Sequence, residues 1–318
     1  MSATLHIIAS CTERKSRPVP AALQLRGVVQ DETAPRARAW WTRLHTGRHD
    51  TVEAGMLYAG EHWSVVMGLP EVARASGFKP HLWVASAGYG LIPANAAIRP
   101  YSATFARGDD DSVITDTRNR DSAGQLQLWW KVLSEQEGPS LHDVRSIKEL
   151  AVKEPRASIL VVASPPYVAA LAEDLSLAAQ QLAKPERMLI VSTPSPLSKG
   201  RLARHWIPSN AYHQNRLGGS RMSLHARVAR ELIKETPVDQ FDAPVLQQRY
   251  VRLIESSAPL HVYSRAPMTD AQVRAFIRQA VKAGGKTWSA SLRLLRAKGQ
   301  ACEQSRFKRL FLEVQEGS

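Results

Sequence analysis

Four short runs along the chain are almost wholly apolar: Leu5–Ala9, Leu82–Ala85, Ser158–Ala163 and Met188–Ser192. Each is rich in Leu, Ile or Val and gives way to small residues or proline, the pattern of strands buried on both faces of a parallel sheet. Between these runs the apolar spacing becomes helical. Ala34–His45 and Glu53–Ser76 separate the first two, and Gly68-Leu69-Pro70 predicts a break in the second span. Gln125–Glu135 and Val144–Val152 separate the second and third. Tyr167–Leu182, with Val168, Leu171, Leu175, Ala178 and Leu182 at helical spacing, joins the third to the fourth. Strands alternating with helices predict an α/β domain over 1–235, with a mostly parallel central sheet and helices on both faces.

Beyond it the pattern changes. Residues 236–265 are less periodic and carry Pro237, Pro244 and Pro259, which predicts a linker. Thr269 is then positioned to cap a helix with the stripe Val273, Phe276, Ile277, Ala280 and Val281. Gly284-Gly285 stops it, Ser289 or Ser291 caps a second helix through Leu295, and a third carries Phe307, Leu310 and Phe311. Residues 266–318 hold ten Lys+Arg against four Asp+Glu. A small basic helical domain follows, read either as a DNA-binding unit or as a solvated helical cap.

Composition narrows the class. The chain has 318 residues, with 44% hydrophobic and 22% charged, the balance of a folded soluble protein. A net charge of +13 favours a polyanionic partner, nucleic acid above all. Cys11 and Cys302 make neither a disulfide framework nor a metal knuckle, and no apolar run reaches membrane-spanning length. A cytoplasmic location is expected. With no P-loop, dinucleotide fingerprint or metal cluster, no cofactor is expected and no metal.

In parallel sheets, functional groups collect at the carboxyl ends of the strands. The four ends here carry Ser10-Cys11-Thr12-Glu13-Arg14-Lys15-Ser16, then Ser86-Ala87-Gly88-Tyr89-Gly90-Leu91-Ile92-Pro93, then Ser164-Pro165-Pro166-Tyr167, then Thr193-Pro194-Ser195-Pro196-Leu197-Ser198-Lys199. The last is a loop stiffened by two prolines, tipped by Leu197 and backed by Lys199, Arg201 and Arg204. It reads as an apolar wedge with phosphate-gripping cations, or as an ordinary strand-to-helix loop. Cys11 is a small buried residue or a nucleophile, and Lys15 a phosphate binder, a donor to a leaving group or a nucleophile. Further on, Gly218-Gly219 lets backbone donors approach an anion, with Ser220 to cap the next helix and Arg221 to hold a phosphate. Trp40-Trp41 and Trp129-Trp130 read as half-buried helix residues.

Pro194-Ser195-Pro196-Leu197-Ser198 resembles the minor-groove loop of uracil-DNA glycosylases, in which a leucine enters the space of the flipped nucleotide; Thr193 stands where that family has His. Ser10-Cys11-x-x-x-Lys15, Ser86–Pro93 and Ile98-Arg99-Pro100-Tyr101 are similar to a bacterial and phage domain family, and the Cys-x-x-x-Lys part resembles archaeosine synthases. Over residues 1–235 the chain resembles the phage-defence DNA glycosylases (bacteriophage replication inhibition DNA glycosylases), themselves similar to the uracil-DNA glycosylase superfamily. The resemblance implies a uracil-DNA glycosylase-like sheet. It also implies a monomer acting on double-stranded, modified phage DNA, with no membrane partner, and excision of glucosylated hydroxymethylcytosine to leave an abasic site. Such a reaction needs a carboxylate to support an oxocarbenium-like sugar or orient water. Glu13 is the first candidate, or else a partner of Arg14 or Arg17. Asp111, with Asp109 and Asp110, is the rival, or else part of a solvated loop or a helix-capping cluster. Cys11, Tyr89, Tyr101 and Phe105 are candidates to line the base pocket, the rings by stacking on an extruded base. Ser86, Ala87, Gly88 and Ser164 are small enough to leave room for a bulky one. Two other functions fit the same residues: base exchange or modification on deazaguanine nucleic acid with Lys15 central, and a catalytically silent DNA-binding module.

Overall fold

The apolar runs assemble into one six-stranded sheet. The computed structural model describes residues 3–46, 50–115, 121–140, 144–255, 264–284 and 287–316. Its strands are β1 (Ala3–Ser10), β2 (Phe78–Ser86), β3 (Gly90–Pro93), β4 (Ser158–Val162), β5 (Met188–Ser192) and β6 (Trp206–Pro208), in the spatial order β3-β2-β1-β4-β5-β6. All neighbours are parallel except β3, which folds back antiparallel on β2. β1 is central. Ala3 pairs with Phe78 through to Ser10 with Ala85 on one side, and Leu5 with Ser158 through to Ala9 with Val162 on the other. Leu5, Ile7, Ile8, Ile159, Leu160 and Val161 are fully buried, which is why these strands read as continuous apolar runs.

Two strands of this sheet were outside the sequence expectation. Ser86–Pro93, expected as one strand-end loop, is instead the turn and second arm of a hairpin. Ser86 Oγ accepts from the Gly88 and Tyr89 amides at 3.2 and 2.9 Å, and Gly90 takes φ 74° to re-enter the ladder. β6 is a three-residue edge strand beside β5.

The helices form two packed groups. α1 (Thr33–Thr46), α3 (Ser122–Ser134), α4 (Ile147–Lys153) and α5 (Pro165–Gln181) pack on one another, as do α2 (Glu61–Ala75) and α6 (Leu224–Glu235). The expected break at Gly68-Leu69-Pro70 does not occur: α2 runs through Pro70. The buried stripe Trp63, Val66, Leu69 and Ala73 holds the helix on both sides of the missing amide, so packing outweighs one lost hydrogen bond.

The chain divides into two compact units, Met1–Ala258 and Pro259–Ser318. The stretch 236–265, expected as a linker, contains α7 (Ala243–Glu255), which belongs to the first unit. Leu246 and Tyr250 are buried in the main core, Tyr250 Oη accepts from the Asn210 amide at 2.6 Å, and Gln247 donates to the Ala203 and Trp206 carbonyls. The second unit has its own core of Val273, Ile277, Leu292, Leu295, Phe307, Leu310 and Phe311. Its helices are α8 (Asp270–Lys282), α9 (Trp288–Ala297) and α10 (Gln304–Glu316). Thr269 and Gln272 form a reciprocal capping box on α8. α9 is capped by Thr287, ahead of the expected Ser289 or Ser291, which lie inside the helix, because a cap hydroxyl must precede the first helical residue to reach an orphan amide.

Candidate active site

From β1 the chain moves to β2 on one side and later to β4 on the other, so the carboxyl ends of β1 and β4 flank the point where the strand order reverses. A crevice opens at such a point because the two crossovers leave in opposite directions. A cavity of about 320 Å³ lies there. The end of β1 contributes Ser10, Cys11, Thr12 and Glu13 to its wall, the entry to α2 contributes Gly60, Glu61 and His62, the entry to α5 contributes Ser164 and Tyr167, and the entry to α6 contributes Ser220 and His225. A second groove of about 310 Å³, among α3, α4 and α5, has a different character. Its buried carboxylate, Asp174, is consumed by Trp130 Nε1 at 3.0 Å and by the Ile147 and Lys148 amides at 2.9 Å, where it caps α4. The switch-point cavity, where one strand end and three helix entries converge, is the candidate site.

Glu13 is exposed on the rim of that cavity and forms no ion pair with Arg14 or Arg17 among the described residues. Its position is fixed by Lys15. The Lys15 ammonium donates to the Thr12 carbonyl at 2.6 Å and to the Glu13 carbonyl at 3.0 Å, and sits 5.2 and 5.0 Å from the centres of the Tyr58 and Tyr101 rings. Burial lowers its pKa from the ordinary value, with Cys11 and Glu13 opposing. Lys15 does not line the cavity. The expectation of a Lys15 nucleophile or leaving-group donor is therefore corrected: Lys15 stands outside the cavity lining and two of its three donors hold the Thr12–Glu13 turn over the tyrosines.

Beneath the rim, Cys11 Sγ shares a hydrogen bond with Tyr167 Oη at 3.0 Å, and Tyr101 Oη donates to the same sulfur at 3.6 Å. Tyr101 Oη also lies 2.6 Å from Ser86 Oγ and 3.0 Å from Tyr58 Oη. Burial raises Tyr58, Tyr101 and Tyr167 well above the ordinary phenol value, so all three stay neutral. This network accounts for most of the expected base pocket, and it corrects it. Ser86, Tyr101 and Phe105 are fully buried and Tyr89 nearly so. Tyr101 lies edge-on to Trp40 and Tyr89, while Phe105 lies edge-on to Tyr167 at 4.8 Å between centroids. Gly88 offers no room, because a Cβ there would collide with the Tyr101 ring. The room expected at Ser86 and Gly88 is filled by that ring, Ala87 is fully buried, and only Cys11 and Ser164 of the expected pocket face the cavity. Tyr167 lines it as well.

Asp111 is also corrected. It is buried and clamped by Arg26 through Nε to Oδ1 at 3.0 Å, Nη2 to Oδ2 at 2.5 Å and the Arg26 amide at 2.9 Å. Burial works to raise its pKa, and the Arg26 hydrogen bonds overcome that and hold it below the ordinary value. It is a structural carboxylate away from the cavity.

The loop after β5 departs from a projecting wedge. Pro196–Lys199 is a single 3₁₀ turn, Ser198 Oγ donates to the Ser195 carbonyl at 2.7 Å, and Leu197 is half-buried against the main core. Lys199 and Arg201 are exposed. The Gly218–Arg221 segment does hold an anion, but one of its own chain. Gly218 and Gly219 take φ 67° and 72°, and the Ser220 amide donates to Glu61 Oε1 at 3.0 Å. Ser223 Oγ at 3.0 Å and Arg227 Nη2 at 2.6 Å donate to the same oxygen. Arg227, then the Ser220 and Ser223 donors, lower Glu61 to about 2. Arg221 points instead to Gln214 Oε1 at 3.3 Å.

Sequence reasoning missed two histidines. The rings of His62, on α2, and His225, on α6, lie 4.5 Å apart between centroids on the cavity wall. Nε2 of His225 is buried without a hydrogen-bond partner, while the His62 ring interacts with the Ser10 main chain. Burial lowers His62 to about 4. Burial, with the neighbouring His62, lowers His225 to about 3. Both rings are neutral at pH 7, and the unsatisfied Nε2 of His225 is suited to hydrogen-bonding a polar ligand. No local motif marks them, since the fold alone brings them together.

Among the described residues no group of three or more His, Cys, Asp and Glu is arranged to hold a metal ion, and no helix is long and apolar enough to cross a membrane. Fold and site define an α/β protein with a mostly parallel sheet and a cavity at its switch point. Comparison with family models, with curated proteins and with solved structures gives no match for this chain.

Proposed function

We propose that this chain is a DNA glycosylase that takes an extruded, modified nucleotide into the switch-point cavity and hydrolyses its N-glycosidic bond. The observation that carries the reading is Glu13: a carboxylate with no ion-pair partner among the described residues, whose main-chain carbonyl is fixed by Lys15 on the rim of a nucleoside-sized cavity, in a chain of net charge +13. Glu13 supports the cationic sugar or orients the attacking water. The water oxygen bonds to C1′ as it gives a proton to the Glu13 carboxylate, the C1′–N bond breaks with its electron pair leaving on the base, and the departing base takes up a proton from solvent. His62 and His225, neutral at pH 7, hydrogen-bond the base rather than protonate it. Resemblance to the phage-defence glycosylases supports two finer proposals: a uracil-DNA glycosylase-like sheet, and glucosylated hydroxymethylcytosine in double-stranded phage DNA as the substrate.

The test is incubation with unmodified, hydroxymethylated and glucosylated duplex DNA, followed by mass spectrometry of released bases. Release from the glucosylated duplex, lost in Glu13→Gln, is the expected result. Release from none of the three overturns the reading.

A further inference from the structure

The anion cradle at the entry to α6 is built more completely than an ion pair requires. One oxygen of Glu61 receives a main-chain amide, a hydroxyl and a guanidinium. Two successive left-handed glycines shape the approach, and Gly219 permits no side chain, since a Cβ there would collide with Arg227 and Glu61. This arrangement, donors converging from a glycine turn and a helix entry, is a geometry that binds phosphate oxygens. Its occupant is a side chain on a flexible stem, 43% exposed, whereas Arg227 is only 16% exposed and fixed. Glu61 and Ser220 both line the switch-point cavity. An independent observation points to a ligand in that cavity: His225, a lining residue more than nine-tenths buried, carries an Nε2 without a hydrogen-bond partner.

We infer that the Ser220–Ser223–Arg227 cradle is a phosphate site for the nucleotide held in the cavity, and that Glu61 is a built-in competitor displaced when that phosphate arrives. The inference rests on the reading of the cavity as a nucleotide site and adds a requirement to it: the ligand must carry a phosphate next to the recognised nucleoside. Without ligand, Glu61 neutralises Arg227. With ligand, the phosphate takes over the three donors and the Glu61 carboxylate turns to solvent, so a bare nucleoside cannot open the cradle.

The experiment is fluorescence anisotropy of the full chain with a labelled single-stranded oligodeoxynucleotide and with its uncharged methylphosphonate counterpart. Glu61→Gln removes the competing charge and should bind the phosphodiester strand about fivefold more tightly than wild type. Arg227→Gln should bind it roughly tenfold more weakly, with the methylphosphonate strand unaffected in both. Ser223→Ala, which removes one donor and no charge, should weaken binding by about threefold and supplies the test if Arg227→Gln does not fold. Displacement of the strand by a deoxynucleoside 5′-monophosphate puts a terminal phosphate in the cradle, and resistance to it puts an internal phosphodiester there. Unchanged affinity in all three variants, or equal changes on the methylphosphonate strand, overturns the cradle. Base release is scored separately: release by wild type with unchanged variant affinities sinks the cradle alone, and the expected affinity pattern without release sinks excision alone.

Discussion

Acid should loosen this fold well above the pH at which its carboxylates protonate, and the cause is the His62–His225 pair. Both histidines start from an ordinary 6.5 and fall on folding, His62 to about 4 and His225 to about 3, chiefly through burial. A base whose pKa falls on folding binds fewer protons folded than unfolded. Stability therefore rises with pH between the folded and unfolded values and is lost as pH drops through that window. At about pH 5 the unfolded histidines are nearly all charged while the folded pair is neutral. At 1.36 kcal/mol per unit over about 1.5 units, the cost is about 2 kcal/mol for each and about 4 kcal/mol for the pair. Charging one ring 4.5 Å from the other further suppresses charging of the second, so the pair titrates as a unit. Domains are stable by about 5–15 kcal/mol, so the loss is large. His6, lowered to about 4 mainly by burial, adds to it from elsewhere, so the pair must be isolated by difference. Urea unfolding followed by tryptophan fluorescence at about pH 8 and about pH 5 measures the free energy in wild type and in His62→Gln/His225→Gln. The double variant should lose about 4 kcal/mol less than wild type between the two conditions. Equal losses would mean that the rings are already charged or already exposed in the folded protein, and the argument would fail.

Three further outcomes follow from the packing. Asp111→Asn leaves the Arg26 clamp without its charge partner and should cost about 3 kcal/mol in chemical denaturation, with base release per folded molecule unchanged; loss of release at full stability would return Asp111 to the site. Gly88→Ala should destabilise by about 2 kcal/mol or more, because the new methyl meets a fully buried ring held at Ser86 and Tyr58, and a variant melting with wild type would contradict that packing. Leu197→Ala should cost about 1 kcal/mol and reduce excision equally on duplex and single-stranded substrates, since Leu197 packs on the core; a loss confined to the duplex would restore the wedge.

Part of this molecule could be read residue by residue, and the remainder depended on distant partners. The four long strands were legible because a strand buried on both faces must be apolar throughout, as Ile159, Leu160 and Val161 are. Gly90–Pro93 and Trp206–Pro208 were not, because three or four residues bounded by glycine or proline give no period to detect. Strand-end reasoning found Cys11, Glu13 and Ser164, whose place follows from topology alone. It could not sort Tyr101 and Phe105 from Tyr167, since a ring at a strand end carries no mark of whether it fills the core or faces a cavity. Gly218-Gly219 shows the boundary between the two kinds of knowledge. Positive φ at consecutive glycines, followed by a helix entry, specifies that an anion will sit there, and this local chemistry was legible. Which anion sits there is a tertiary fact: the chain folds Glu61, from the other side of the cavity mouth, into the place. A site whose resting occupant is supplied by its own fold can be anion-binding in design and yet closed to weak anions. That selectivity would let the protein ignore free nucleosides and small phosphates while yielding to a ligand that engages the cavity and the cradle together.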